Sequence, residues 1–201
     1  DSVSEIGQGA FWCCTDLKKV TLGSGVKEIA SQAFYQCYGL SEIVLPEGLE
    51  KIGSQAFGDC TSLRSITIPS TVTSIEGGAV TTFDLSDGSS YISHKGAFAG
   101  CTGLESAVLK CQLTRLNQSL FYGCTSLKTI NIPDTVTDID DYAFANCASL
   151  TDIRFSEKLI RINKGAFEGC TGLEELTLPS SLKTIGVEAF MGCTGLKELT
   201  I

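Results

Sequence analysis

Ten cysteines, one histidine and a knot of carboxylates at Asp138, Asp140 and Asp141 are the side chains in this sequence that could do chemistry. Thiols bridge, bind metal or act as nucleophiles, and each role needs partners at set spacings. A thiolate metal site wants a tetrahedron of ligands, yet the chain has no Cys-x-x-Cys pair and His94 is its only histidine. The same scarcity leaves little material for a Ser-His-Asp or Cys-His nucleophile. Neither Gly-x-Ser-x-Gly nor a Gly-x-x-x-x-Gly-Lys phosphate loop occurs. The three aspartates sit on a segment of period two, where such a run reads as a solvated face. No catalytic, cofactor-binding or metal residue is expected, and the chain is read as not an enzyme.

The cysteines recur, which makes them a clue to architecture. An Ala-Phe frame returns every 23 residues, its first position falling at Ala10, Ala33, Ala56 and Ala79, then at Ala97, Leu120, Ala143, Ala166 and Ala189. Only the 18 residues between Ala79 and Ala97 break the count, so one unit is either shrunken or swollen by an insertion. Cysteine follows four residues later at Cys14, Cys37, Cys60, Cys101, Cys124, Cys147, Cys170 and Cys193, and leucine three later again, from Leu17 to Leu196. Next come two alternating apolar residues, such as Ile66 with Ile68 or Leu176 with Leu178, a strand signal. All four prolines (Pro46, Pro69, Pro133 and Pro179) share the phase that closes this strand, where a missing N–H ends a ladder. A second apolar pair follows, Val72 with Ile75 or Leu182 with Ile185. Then Asn117, Asp140 and Asn163 occupy a phase that suits a helix N-cap.

One unit therefore reads as a strand, a turn, a brief second extended segment, and a single helical or 3-10 turn carrying Ala-Phe-x-x-Cys. No unit can bury its apolar face alone, so successive turns must stack. The expected fold is an α/β repeat solenoid, strand-dominated, with short parallel strands. It is one domain over residues 1–201, with eight or nine units and an irregular insertion at 80–96. Val3 and Ile6 already lie in the Val72/Ile75 phase and Ile201 ends on the Ile68 phase, so the chain is expected to be an uncapped piece of a longer array.

The pattern Leu-x-x-Ile-x-Ile-Pro-x-x-Val-x-x-Ile-x-x-x-Ala-Phe-x-x-Cys resembles the BspA-like class of leucine-rich repeats over nearly the whole chain outside residues 80–96. That resemblance implies a solenoid at the surface of, or secreted by, host-associated bacteria or parasitic protists, used for adhesion and protein recognition. It supplies no catalytic residues. An alternative is a structural or targeting arm attached to an enzyme domain elsewhere in a longer chain.

A net charge of −8 argues against nucleic acid, which needs clustered Lys and Arg, and against anionic membranes. No apolar run approaches the ~20 residues of a membrane span. The cysteine ladder, set between a buried Phe and a buried Leu, reads as a core stack of small hydrophobes, reduced and buried. Stacked Cα atoms would lie near disulfide range, so spacing alone leaves bridging open. Cys13 and Cys111 fall off the ladder and are the expected exposed thiols. Asn117-Gln118-Ser119 matches a glycosylation acceptor, but the phase of Asn117 favours a structural role.

The outward row of the main strand, Thr21, Val44, Thr67, Val108, Asn131, Arg154, Thr177 and Thr200, is nearly bare of the aromatic and arginine anchors of interfaces. The stretch from Thr81 to Gly96 differs. Two β-prone runs flank Asp87-Gly88, a turn dipeptide, so it reads as a projecting hairpin or as a degenerate repeat with Phe83 in the cysteine's place. Phe83, Asp84, Asp87, Tyr91 and His94 are the expected contact residues for a protein or cell-surface ligand, or for self-association.

Overall fold

The computed structural model describes residues 2–78, 81–84 and 90–201, with backbone alone for 81–84 and 90–92. Each turn of chain lays down one rung with three sides, and each side has its own hydrogen-bonding habit.

The first side carries the main strands: Lys19–Thr21, Glu42–Val44, Ser65–Ile68, Ser106–Leu109, Thr129–Asn131, Glu175–Thr177 and Glu198–Thr200. Where neighbouring rungs pair they do so in parallel, 23 residues apart as for Val20 beside Ile43 and Leu176 beside Leu199, or 41 apart across the insertion, where Ile66 lies beside Ala107. Their alternation is visible in burial: Ile66 and Ile68 are inside, Ser65 and Thr67 outside. The second side is a row of two-residue strands from Glu5–Ile6 to Thr184–Ile185, again parallel and in register. At Pro46, Pro69, Pro133 and Pro179 the proline carbonyl accepts the N–H three residues on, which turns the chain from first side to second.

The third side carries Ala-Phe-x-x-Cys, and here the expected helical or 3-10 turn is corrected, along with the α/β label. The described residues contain no helix; the fold is a solenoid of parallel strands and turns. Alternate amides face different ways. Ala33, Tyr35 and Cys37 donate to carbonyls three residues back, while Gln32, Phe34 and Gln36 donate one rung onward to Ser54, Ala56 and Gly58 at 2.8–2.9 Å. A helix would need all of them within the segment. The backbone escapes helical geometry because Gln32 and Gln36 take left-handed φ of 60° and 59°. The same phases hold Gly9 and Gly165, or Gly100, Gly123, Gly169 and Gly192, residues for which that φ is free of cost. The N-cap reading of Asn117, Asp140 and Asn163 falls with the helix. Asn117 instead donates its Nδ2 to the Ile75 carbonyl, and Asn163 donates to Asp140 at 3.0 Å, so this phase binds rung to rung.

The core is a set of like-on-like stacks. Phe11, Phe34, Phe57, Phe98, Phe121, Phe144, Phe167 and Phe190 stack in order with ring centroids 5.2–5.6 Å apart. Phe57 lies directly on Phe98, so 41 residues separate those two rungs, and Ala79, expected in the ladder, falls outside the described residues. The thiols form a second stack with a use for sulfur. Cys37, Cys60, Cys101, Cys124, Cys147, Cys170 and Cys193 each donate to the Phe carbonyl of the preceding rung at 3.0–3.3 Å. A small apolar side chain with one weak donor fits there, and all ten cysteines are free. Burial pushes the Cys101 and Cys170 thiols up to about 12, far from the reactive thiolate.

Two cysteine expectations need correction. Cys13 is exposed, but Cys111 is wholly buried: after Lys110, in a phase that holds proline in four other rungs, the chain makes a bend and the thiol turns inward. Cys14, on the terminal turn and packed from one side, is exposed although it holds the ladder phase.

Candidate functional site

The insertion leaves the solenoid after Ile75 and returns at Ala97. Its described backbone forms an antiparallel pair, Thr81–Asp84 with Ser90–Ser93, in which Phe83 faces Tyr91 and Asp84 faces Ser90. The side chains of Phe83, Asp84 and Tyr91 lie outside the described residues, as does all of Asp87. At the root, glycine is dictated by space. A Cβ on Gly78 would come within 2.2 Å of the Lys95 Cβ, and one on Gly96 within 1.8 Å of the Ser119 carbonyl oxygen. Ser54 Oγ donates to the Lys95 carbonyl at 2.7 Å, pinning the returning strand to the rung below.

His94 is the one expected contact residue whose side chain is described, and it packs onto the scaffold. Its ring stacks on Tyr122 at 3.4 Å and 10°, meets Tyr142 edge-on at 5.5 Å, and places Nδ1 3.1 Å from Ser119 Oγ. Lys164 Nζ lies 5.8 Å over the Tyr142 ring, and the Lys164 amide donates to Asp141. Burial lowers the imidazole to about 4, so His94 is neutral at neutral pH. Ser119 beside His94 places a hydroxyl against a base, but Ser119 is fully buried and offers no open face to an electrophile. The group serves as a clamp on the hairpin root. Ser119, Tyr122, Tyr142 and Lys164 were missed from sequence, because the 41-residue rung hides which residues His94 meets. The available signal was Tyr122, in the outer phase that also carries Trp12 and Tyr35.

The aspartate run is corrected too. Asp138 is buried, with Arg161 Nε hydrogen-bonded to it on one neighbouring strand and Arg115 3.9 Å away on the other. Burial alone would raise its carboxyl, but the Thr137 hydroxyl and the two guanidiniums outweigh that and hold it below the usual range. Asp140 moves the opposite way, raised chiefly by burial although Arg115 lies 3.0 Å away. In the register of the second row Arg115, Asp138 and Arg161 fall side by side, so this is an ion-pair ladder rather than a solvated face.

On the first side, Val44 and Val108 stand in the outward row, and charges pair between rungs: Lys19 with Glu42 at 2.6 Å, Lys128 with Glu105 at 3.0 Å, Lys197 with Glu174 at 2.9 Å. Among the described residues no group of His, Cys, Asp and Glu could hold a metal ion, and no helix is long and apolar enough to cross a membrane.

These rungs match a known family. The profile described as BspA type leucine rich repeat region aligns in six copies with residues 1–88 and 91–201, and the chain belongs to that family. Among solved structures it is similar to a leucine-rich repeat protein from Eubacterium ventriosum, with TM-score 0.72 and 23% identity over 88% of this chain and 43% of that one. It is also similar to the T. pallidum leucine rich repeat protein, with TM-score 0.60 and 30% identity over 97% of this chain and 72% of that one. A Bacteroides ovatus leucine-rich repeat protein gives TM-score 0.53 and 23% identity over 98% of this chain and 76% of that one. The chain thus spans less than half the length of the E. ventriosum protein. A comparison with curated protein sequences returned no match.

Proposed function

We propose that this chain is a noncatalytic recognition module, secreted or held at a cell surface, that binds a protein or cell-surface ligand for adhesion. Its contact region is the hairpin with Phe83, Asp84, Asp87, Tyr91 and His94. The observation that carries this reading is the clamp: the stacked rungs hold the root of the hairpin through Ser54, Ser119, Tyr122 and Tyr142. Loops on rigid scaffolds are the usual carriers of binding residues, because the scaffold keeps the ordering cost of binding low.

Deleting residues 77–94 joins Glu76 to Lys95 and restores the plain 23-residue spacing. Beads coated with the intact or the trimmed chain would be scored for adhesion to mammalian cell monolayers. The trimmed chain should keep its thermal midpoint within a few degrees and lose adhesion. Full adhesion by the trimmed chain would remove the hairpin from the function.

A further inference from the structure

One rung of the first side is not a strand. Asp152–Phe155 occupies the place between Thr129–Asn131 and Glu175–Thr177, yet among the described residues none of its main-chain N–H or C=O groups enters a backbone hydrogen bond. Glu175–Thr177 pairs only onward, with Glu198–Thr200, so its edge toward residue 152 is unpaired as well. The other two sides of the same rungs stay closed. Phe144 and Phe167 stack at 5.2 Å, and Asp138–Ile139, Arg161–Ile162 and Thr184–Ile185 remain in register. The solenoid is therefore splayed on one side between these rungs, as it also is between Glu42–Val44 and Ser65–Ile68, which likewise do not pair.

What sets this opening apart is Phe155. The same phase holds Leu22, Leu45, Ile68, Leu109, Ile132 and Leu178, all smaller. The Phe155 ring is buried edge-on against Phe167 at 5.8 Å and 79°, a contact added to the ladder rather than part of it. Overpacking of a full core is relieved by backbone shifts, and the strand side is the one that has moved.

The opening is a cleft of about 470 Å³ lined by Asp152, Arg154, Glu157, Glu175, Thr177 and Ser180 among others. Such a volume lies within the range of binding sites, about 300–1,000 Å³. Its charges, three carboxylates against the one guanidinium of Arg154, are unpaired where most on this face are paired. Glu42, Glu105 and Glu174 each have a Lys or Arg one rung away, whereas Asp152, Glu157 and Glu175 have no ion-pair partner among the described residues.

We propose that this cleft docks an extended, basic segment of a protein partner. Unpaired main-chain groups at 152–155 and along Glu175–Thr177 would bind its backbone as a strand addition does, and the three free carboxylates would select its charge. The proposal rests on the protein-recognition reading and locates a second contact for it, on a different side from the hairpin.

The test uses a fluorescein-labelled hexapeptide of alternating lysine and valine, read by anisotropy at physiological salt. Its backbone N-methylated form and a glutamate–valine counterpart serve as comparisons. The lysine–valine peptide should bind saturably, both comparison peptides at least tenfold more weakly, and amide exchange at residues 152–155 should slow on binding. Phe155→Leu should let the rung close, slow exchange there in the free protein, and weaken binding at least tenfold with the thermal midpoint held or raised. Should that variant fold poorly, Asp152→Asn with Glu175→Gln gives the same tenfold readout without touching the core. Equal affinity for the N-methylated peptide, unchanged affinity in the variants, or binding that leaves exchange at 152–155 unaltered would overturn the proposal. So would self-association that the peptide competes away, which would give the cleft to a second copy. The chain lacking residues 77–94 separates the two readings: it should lose cell adhesion yet still bind the peptide, so either can fail alone.

Discussion

Phe144 sits fully buried in the middle of the ring stack, 5.6 Å from Phe121 and 5.2 Å from Phe167. Phe144→Ala removes a whole ring from a close-packed site, which costs about 3–5 kcal/mol once the residual cavity is included. Two stacking contacts of about 0.5–1.5 kcal/mol each vanish with it, so the upper half of that range is expected. Phe190 is half-buried with one ring neighbour, and Phe190→Ala should cost about half as much. Coupling is the sharper measurement. Phe144→Ala and Phe167→Ala open one shared cavity, so the double variant should depart from additivity by about 0.5–3 kcal/mol. Phe144→Ala with Phe34→Ala, four rungs apart, should add within about 0.5 kcal/mol. Urea denaturation followed by far-UV circular dichroism gives all the midpoints, with the slopes checked for loss of two-state behaviour. A Phe144→Ala loss below about 1 kcal/mol, or strict additivity for the adjacent pair, would refute the claim that stability travels through the stack.

Thiol titration of the native protein should show two fast groups, Cys13 and Cys14, and all ten cysteines after unfolding without reductant; fewer than ten would mean bridged sulfur. Asp138→Asn strands Arg115 and Arg161 against each other. It should cost about 1–3 kcal/mol, below the usual cost of a broken buried pair because both guanidiniums are half-exposed. His94 has a native value of about 4 against an ordinary 6.5, so the unfolded chain binds the extra proton first. Its contribution is complete above pH 6.5 and is lost as pH falls toward 4. Allowing for solvent at a half-buried ring and for some cation–π attraction to Tyr122, that loss should be on the order of 1–2 kcal/mol, and His94→Gln should flatten it in denaturation run across pH.

The period, the core phases and the closing prolines were legible because each is a spacing, and stacking turns spacing into contact. The stacked turn was misread as helical because Asn117, Asp140 and Asn163 hold an N-cap phase, and its i to i−3 bonds at Ala33, Tyr35 and Cys37 are indeed those of a 3-10 turn. What differs is the destination of the alternate amides, which lies in the next rung and leaves no local pattern. Asp138 was misread for a related reason. As a local run it looks solvated, yet Arg115 and Arg161 stand 23 residues to either side, and comparing phases rather than neighbours would have paired them. Cys111 depended on a bend in its own rung, and the His94 clamp on the path of an insertion; neither has a spacing to betray it.

The amides that pair one rung with the next point along the axis of the stack, and this sets how the molecule would bear load. Tension applied at the two ends pulls along those bonds and meets the terminal rung first, so the array should yield by peeling rather than by shearing as a block. Each ordinary rung would pay out 23 residues, roughly 80 Å of extended chain, while the rung between Phe57 and Phe98 would release 41, roughly 140 Å. A tether built this way lengthens in small equal steps under a pull and carries one long step in its interior.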